Sequence, residues 1–163
     1  ELLSRYLTNE IDEFNENNVQ VRFIGSRKGL PEIVQQKMEH AIEATKNNTG
    51  IILNLAINYG GQAEILHAVR TIAAEAANGT LAVEDIDNNV IENHLYTKGL
   101  PAPDLLIRPG GDLRISNFLL WQIAYAEIWT TKVFWPEFTP DHLVEAILAY
   151  QGRERRFGGL VSR

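Results

Sequence analysis

The chain lacks several residue types and patterns, and each absence narrows its function. Its 163 residues include no cysteine, which excludes disulfides, thiolate catalysis and cysteine-based zinc sites. Positive charge is not in excess, since the formal net charge is −6 and the isoelectric point is near 5.2. That balance disfavours a general nucleic-acid binder, which usually carries a net basic face, but it is compatible with a local cationic pocket.

Long hydrophobic runs and an initiator residue are also missing. The longest apolar run, near residues 118–126, is far too short to span a bilayer, and no signal peptide is visible. The single methionine is Met38, and the chain opens directly on an apolar helical period without a preceding cap. We therefore expect Glu1 to lie inside a longer protein.

Helix and strand patterns alternate along the sequence. In the helix predicted after residue 61, one side carries the apolar stripe Ile65, Val69, Ile72 and Ala76. The other predicted helices lie near residues 1–16, 31–45, 84–96, 116–126 and 139–150. Apolar or β-branched runs predict strands at residues 19–25, 51–57 and 105–107, the second of them covered on both faces. This alternation predicts a single α/β domain over residues 1–163, with a mainly parallel central sheet flanked by helices.

The stretch most informative about chemistry is IRPGGDLRIS at residues 107–116. It leaves a buried strand, turns through two glycines and precedes the helix predicted to begin near Ser116. Ligands in open α/β sheets bind beyond the carboxyl ends of strands, and a helix amino terminus suits an anion. The forked guanidinium groups of Arg108 and Arg114 match phosphate oxygens. An anion site at this turn is therefore one interpretation of the pattern.

A second interpretation of the same stretch stays open. The two arginines can instead pair with Asp104 and Asp112, while Ser116 only caps the helix. The glycine pair by itself is weak support for a ligand, because it matches no Walker or dinucleotide fingerprint. The local pattern supports both interpretations about equally.

A carboxylate follows the apolar run at residues 118–126. Glu127 would be costly at the inner end of a buried helix unless it is paired, protonated or bound to a cation. Magnesium takes oxygen ligands and often shares them with a diphosphate. The alternatives are a surface glutamate at a helix end, or one that forms a salt bridge with an arginine, and the local pattern alone favours these.

The segment GRERRFGG at residues 152–159 ends the last predicted helix with a cluster of charge. Such a cluster usually forms a solvated face, and arginines there also suit the helix dipole. The alternative is that the segment folds over a phosphate site. The NYGG segment at residues 58–61 is interpreted as a plain strand-to-helix turn.

Taken together, these segments resemble the cis-prenyltransferase family, and specifically the bacterial undecaprenyl diphosphate synthases. The similarity covers essentially the whole chain, in order. The matching segments are LAINYGG (55–61), DLLIRPGG (104–111), RISNFLLWQ (114–122), AYAE (124–127), WP (135–136) and RERRFGG (153–159). The chain is therefore interpreted as the carboxy-terminal two-thirds of a family member with the fold of these synthases.

The resemblance implies sequential cis addition of isopentenyl diphosphate to an allylic diphosphate, farnesyl diphosphate, with magnesium as cofactor. The product would be undecaprenyl diphosphate, the precursor of the lipid carrier for cell-wall synthesis. By matching position, Arg108, Arg114 and Ser116 hold the diphosphate of isopentenyl diphosphate, and Ile115 belongs to the same substrate-binding segment. Glu127 matches the magnesium ligand of the family.

The resemblance also implies a tunnel, a partner and a location. Ile51 lies where the family limits product length, although an ordinary core isoleucine is compatible with that position. The tail residues Arg156, Phe157, Gly158 and Gly159 match a segment that reaches the partner's active site in a homodimer. We expect a cytoplasmic protein, peripheral at the inner face of the plasma membrane, that delivers its product to the membrane and binds no nucleic acid.

One family feature is missing from the sequence. The family carries an amino-terminal H-x-x-x-M-D-G-N-x-R-W motif that binds magnesium and the allylic diphosphate, and later a serine–phenylalanine–serine and asparagine–tryptophan segment. Neither occurs in these 163 residues, so we expect that this chain alone does not turn over. The alternatives are a non-catalytic binding or scaffold subunit of the same fold, and an unrelated nucleotide-binding module, which the missing phosphate loop disfavours.

Overall fold

A computed structural model of the protein describes residues 10–153. The chain divides into two compact units, Glu1–Lys98 and Gly99–Arg163. Within the described residues, each unit contains one parallel two-stranded sheet together with helices. The predicted α/β class with parallel pairing is therefore confirmed. The four described strands form two separate pairs, and the prediction of a single domain stays a prediction.

The first unit follows the predicted alternation closely. Its elements are α1 (Ile11–Glu16), β1 (Gln20–Ile24), α2 (Glu32–Thr45), β2 (Ile52–Ala56), α3 (Gly61–Ala77), a 3-10 turn (Val83–Asp85) and α4 (Asn88–His94). The strands pair in parallel register from Gln20 opposite Ile52 to Ile24 opposite Ala56. The predicted strands and helices near these positions are confirmed for the part of the chain that the structure describes.

The core of the first unit lies between β1 and the two helices that flank it in sequence. Val21 and Ala41 are fully buried, and Met38 is nearly so. The buried hydroxyl of Thr45 connects strand and helix, because it accepts the Val21 N–H at 3.0 Å and donates to the Ala41 carbonyl at 2.8 Å. Gly25 then ends β1 with φ +114°, where a Cβ would lie 2.1 Å from the Ile57 carbonyl oxygen.

Two burial predictions in this unit are wrong. Strand β2 is half-buried rather than covered on both faces, because only Leu53 and Leu55 pack on the core. The stripe predicted for helix α3 is wrong at Val69, which is exposed, although Ile72 is buried as predicted and Ile65 and Ala76 are half-buried. Glu64 and Ala68, which lie outside the predicted stripe, are buried as well. The helix is therefore rotated so that a carboxylate faces inward.

Glu64 is fully buried, and both of its carboxylate oxygens accept hydrogen bonds that compensate for the loss of water. Oε2 accepts the Tyr59 hydroxyl at 2.5 Å, and Oε1 accepts the Tyr96 N–H at 2.7 Å. A buried carboxylate without such donors would be strongly destabilising. These two bonds connect the start of α3 to the segment that follows α4.

The second unit is built around a second strand pair. Its elements are β3 (Leu105–Arg108), β4 (Glu127–Thr130), a 3-10 turn (Trp135–Glu137) and α5 (Pro140–Gln151). The strands pair in parallel from Leu105 opposite Glu127 to Arg108 opposite Thr130. Thr139 caps α5 reciprocally with His142, and Pro140 occupies its first turn, as the sequence predicts. Among the described residues no helix is long and apolar enough to cross a membrane.

The helix predicted near residues 116–126 is wrong. This segment consists of successive turns, with the left-handed φ values +50° at Ser116, +63° at Asn117 and +44° at Leu119. Left-handed residues interrupt the regular i to i−4 hydrogen bonds of a helix. As a result, none of the helices in the described residues begins directly after the glycine turn, and an anion site there depends on side chains.

Candidate functional site

A cavity of about 310 Å³ opens at the carboxyl end of β3. Alternate residues of a strand point to the same face, so Leu106 and Arg108 of β3 and Ile128 and Thr130 of β4 share one wall. The other lining residues come from the loop after β3: Asp112, Leu113, Arg114 and Ile115. The cavity therefore combines apolar walls with two guanidinium groups.

The glycine turn beside this cavity is held by backbone hydrogen bonds. Gly110 and Gly111 have φ values of +94° and +81° and donate their N–H groups to the carbonyls of Val133 and Thr131, both at 2.8 Å. The left-handed conformation, rather than lack of space, favours glycine at both positions. Because both N–H groups are used, positive charge at this turn comes from the arginines.

The two arginines share a single carboxylate. Arg114 Nη2 lies 2.5 Å from Asp112 Oδ2, and Arg108 Nη2 lies 3.9 Å from the same oxygen. The Asp112 part of the predicted alternative is therefore present in the structure. One carboxylate does not neutralise two guanidinium groups, so the cavity keeps an excess of positive charge.

Arg108 has a side-chain donor without a hydrogen-bond partner in the part of the chain that the structure describes. Its Nε is buried and makes no hydrogen bond, although native structures satisfy nearly all buried polar groups. The guanidinium faces the cavity together with Arg114, whose side chain is 66% exposed. An oxyanion in the cavity would lie beside the guanidinium groups of both arginines, although the Nε atom itself has almost no accessible surface.

The remaining residues of the predicted substrate segment lie around this cavity. Ile115 lines it, whereas Ser116 is exposed and is not among the residues that the structure places in the wall. The positive φ of Ser116 departs from the helical conformation that was predicted to begin at this residue. Its predicted contact with a diphosphate stays a prediction.

Glu127 lies away from the cavity of its own chain. It is the first residue of β4, three positions before Thr130, which places it about 10 Å back along the strand. Its side chain belongs to the opposite face from Ile128 and Thr130, which line the cavity. The structure therefore does not bring Glu127 together with Arg108 and Arg114.

The Glu127 carboxylate instead contacts an arginine. Its Oε2 lies 2.5 Å from Nη1 of Arg153, and the two side chains are 29% and 41% exposed. The salt-bridge alternative is therefore present in the structure. No group of three or more histidine, aspartate or glutamate side chains in residues 10–153 is arranged to hold a metal.

The other predicted site residues lie elsewhere. Ile51 directly precedes β2, is 74% exposed, and accepts the Gln20 N–H through its carbonyl at 2.8 Å. Its predicted role in limiting product length stays a prediction. The tail residues Arg156, Phe157, Gly158 and Gly159 lie outside the described residues.

Sequence reasoning missed part of the cavity wall. Leu106, Ile128 and Thr130 had no local signal, because only the pairing register of β3 with β4 aligns them with Arg108. The Arg153 contact of Glu127 was also missed, since the two residues are 26 positions apart. The spacing of Asp112 to both arginines, by contrast, was visible in the sequence.

Comparison with known proteins gives a consistent family. Residues 1–158 match the family described as "Putative undecaprenyl diphosphate synthase". The chain is 48% identical over 160 residues to an isoprenyl transferase of Clostridium tetani, covering 98% of this chain and 63% of that protein. It is 49% identical over 162 residues to that of Geobacillus kaustophilus, with 99% and 63% covered. The chain thus spans about 63% of the length of these curated relatives.

Solved structures agree with this assignment. Lavandulyl diphosphate synthase from Lavandula x intermedia, in complex with dimethylallyl diphosphate, superposes with a TM-score of 0.92 at 36% identity, covering 96% of this chain and 68% of that one. A probable undecaprenyl diphosphate synthase from Campylobacter jejuni gives 0.81 at 35% identity, covering 96% and 71%. The chain belongs to the undecaprenyl diphosphate synthase family of prenyltransferases.

Proposed function

We propose that this chain supplies the isopentenyl diphosphate site of a cis-prenyltransferase. The whole protein would condense isopentenyl diphosphate units onto farnesyl diphosphate to give undecaprenyl diphosphate, the lipid-carrier precursor for cell-wall synthesis. The observation that carries this proposal is that Arg108 and Arg114 both line one otherwise largely apolar cavity at the carboxyl end of β3. Isopentenyl diphosphate has the matching chemistry, a short apolar chain joined to a dianionic head.

The cavity residues divide according to the two parts of this substrate. Arg108 and Arg114 would hold the diphosphate oxygens through charge-assisted hydrogen bonds. Leu106, Ile115 and Ile128 form apolar wall against which the five-carbon chain would pack. Asp112 now interacts with both guanidinium groups, so a diphosphate would have to displace its carboxylate from them.

The proposed reaction places its developing negative charge on a diphosphate. A carbon–carbon bond forms between the allylic carbon and the isopentenyl double bond, the allylic diphosphate leaves with the bonding electrons, and the isopentenyl unit loses a proton. The contribution of this chain is to hold and orient the isopentenyl diphosphate at Arg108 and Arg114. The allylic diphosphate would be held by the family's Asp-Gly-Asn segment, which these 163 residues do not contain.

Magnesium is the proposed cofactor, with Glu127 as one ligand. The partly exposed carboxylate at the start of β4 is a ligand type that magnesium takes, and magnesium commonly uses one carboxylate with water and phosphate oxygens. When bound, the ion would stabilise negative charge on a diphosphate. Glu127 faces away from the cavity of its own chain. A magnesium ion at this position would therefore have the Glu127 carboxylate as its ligand and would not contact that cavity.

The proposed assembly is a homodimer, in which the tail at residues 156–159 reaches the partner's active site. We place the protein in the cytoplasm at the inner face of the plasma membrane, where its apolar product is delivered. Both proposals rest on the family to which the chain belongs. A farnesyl-specific substrate and an undecaprenyl product rest on the same basis.

Titration of the chain with inorganic pyrophosphate tests the anion site. Replacing Arg108 or Arg114 with Gln should weaken binding about 10- to 100-fold, the loss expected for hydrogen bonds to a charged group. Arg70→Gln removes an exposed cation from α3 and serves as the control. Equal binding by all three variants and the wild type would refute the site.

In the full-length gene product, Arg114→Ala should raise KM for isopentenyl diphosphate, measured by radiolabel incorporation with farnesyl diphosphate and magnesium. Retained pyrophosphate binding without incorporation would favour the non-catalytic subunit.

A further inference from the structure

The cavity at the end of β3 has a hydroxyl group in its wall that the proposed substrate contacts do not use. Among the described residues that line this cavity, Thr130 is the one that carries a hydroxyl. It is the last residue of β4 and lies opposite Arg108 in the parallel register. Ser116, whose hydroxyl was predicted to bind the diphosphate, is not in the wall. The structure therefore offers a different hydroxyl to an anion in the cavity.

The strand pairing holds Thr130 beside Arg108. The two residues are partners in the register, and the next residue, Thr131, donates its N–H to the Arg108 carbonyl at 3.2 Å. Paired strands lie about 4.8 Å apart, and partner residues of a parallel pair point to the same face of the sheet. The side chains of Thr130 and Arg108 consequently form neighbouring parts of the cavity wall.

The fold itself does not use the Thr130 hydroxyl, in contrast to that of its neighbour. The Thr131 hydroxyl accepts the Val133 N–H at 3.3 Å and so supports the turn after β4. The Thr130 side chain forms no hydrogen bond with any residue in the range 10–153. Because valine is at least as well suited to a strand as threonine, the strand does not require a hydroxyl at this position.

We propose that Thr130 is a further binding residue for the diphosphate of isopentenyl diphosphate. Its hydroxyl donates a hydrogen bond to a diphosphate oxygen on the Arg108 side of the cavity. This inference rests on the proposed function, and it adds a neutral donor from β4 to the two cations that β3 and its loop supply. A hydrogen bond to a charged oxygen is stronger than one between neutral groups, so a single hydroxyl is sufficient for a measurable effect.

Titration with inorganic pyrophosphate compares variants of the 163-residue chain that differ in this hydroxyl. Thr130→Val keeps the shape of the side chain and should weaken binding about three- to tenfold, the loss expected for one hydrogen bond. Thr130→Ser keeps the hydroxyl and should stay within about twofold of the wild type, because that hydrogen bond is retained. Thr80→Val makes the same change at an exposed threonine of the first unit and should leave the affinity unchanged.

The arginine variants separate this inference from the proposed anion site. If Arg108→Gln and Arg114→Gln weaken binding while Thr130→Val binds like the wild type, the inference is refuted and the site stands. If none of the three weakens binding, both fail. A loss in Thr130→Ser as large as that in Thr130→Val would also refute the inference, because the hydroxyl would then not be the group that binds.

In the full-length gene product, Thr130→Val should raise KM for isopentenyl diphosphate about three- to tenfold with little change in kcat, because the hydrogen bond serves binding. Thr130→Ser should restore the wild-type KM. A fall in kcat at unchanged KM would overturn the assignment, since Thr130 would then not hold this substrate.

Discussion

The two units of the chain use their apolar residues differently. In the described part of the first unit, nine hydrophobic side chains are buried, Val21 and Ala41 completely. In the described part of the second unit only the hydrophobic side chains Ile123 and Ala146 are buried, while Leu113, Phe134 and Trp135 are exposed. The predicted anion-binding residues all lie in the second unit. The comparison indicates that the first unit contributes most of the burial and the second presents the chemistry.

Backbone strain is distributed in the same way. Among residues 10–98 of the first unit, the non-glycine residues with positive φ are Asn18 and Asn58, a residue type that tolerates the left-handed region. In the described part of the second unit they are Ser116, Asn117 and Leu119, which follow the arginine loop directly. Residues held in sparsely populated conformations cluster at functional sites, and this cluster adjoins the candidate site.

The largest expected effect is the loss of a core side chain from the first unit. Met38→Ala should lower the free energy of unfolding by about 2–5 kcal/mol, because it removes a nearly fully buried side chain and leaves a cavity. Leu113→Ala, at a side chain 80% exposed in the second unit, should change it by no more than about 0.5 kcal/mol. Urea denaturation of both variants checks this contrast, and equal losses would contradict the division between the units.

A smaller loss is expected at the buried carboxylate. Glu64→Ala removes the acceptor of the Tyr59 hydroxyl and the Tyr96 N–H, and should cost about 1–3 kcal/mol in thermal unfolding. Glu64→Gln keeps one acceptor oxygen and should cost less. If the alanine variant were as stable as the exposed control Glu84→Ala, the two hydrogen bonds would not be stabilising the first unit.

A substitution in the strained loop should separate stability from binding. Ser116→Gly relieves a left-handed residue, so the free energy of unfolding should stay the same or rise by up to about 1 kcal/mol. If the hydroxyl contacts a diphosphate, pyrophosphate affinity should fall about three- to tenfold, as expected for one hydrogen bond. Asn117→Gly changes the neighbouring backbone but keeps the hydroxyl. An equal loss of affinity in that variant would assign the effect to the backbone.

The smallest expected effect is a pH dependence at the two ends of α4. The Val90 carbonyl and then the Glu75 carboxylate raise the pKa of His94. The stabilising contribution of His94 is therefore complete below its ordinary pKa of about 6.5 and is lost as the pH rises through the raised value.

Hydrogen bonds from the Val90 N–H and the Asn89 side chain lower the pKa of Asp87. Its contribution is present above about 3.9 and is lost as the pH falls through the lowered value.

Thermal unfolding between pH 3 and pH 9, roughly the range over which these two groups titrate, checks both signs. His94→Gln should flatten the alkaline side of the profile, and Asp87→Asn should flatten the acidic side. If His94→Gln left the alkaline side unchanged, the Glu75 contact would not be contributing to the stability of the first unit.

Local patterns anticipated much of this molecule. The run around Val21, the proline before α2 and the Thr139–Pro140 cap were sufficient to predict their elements, because each depends on neighbouring residues. The prediction failed at residues 116–126, where an apolar run was interpreted as a helix. Apolar content does not reveal the left-handed backbone of Ser116 and Leu119, since neither residue type prefers it. Glu64 was missed for the related reason that its donors lie on other elements.

The sequence by itself determined the family, the α/β class and the arginine pair beside the glycine turn, because these depend on residue types at fixed spacing. Only the tertiary structure decided which side chains share a cavity. The parallel register of β3 and β4 places Thr130 opposite Arg108, and strand alternation then turns Glu127 to the other face. The register of two strands, and the face of the sheet on which their side chains meet, are relations between distant segments, so no local pattern determines them. They are the reason that the predicted anion site and the predicted metal ligand lie apart in this chain.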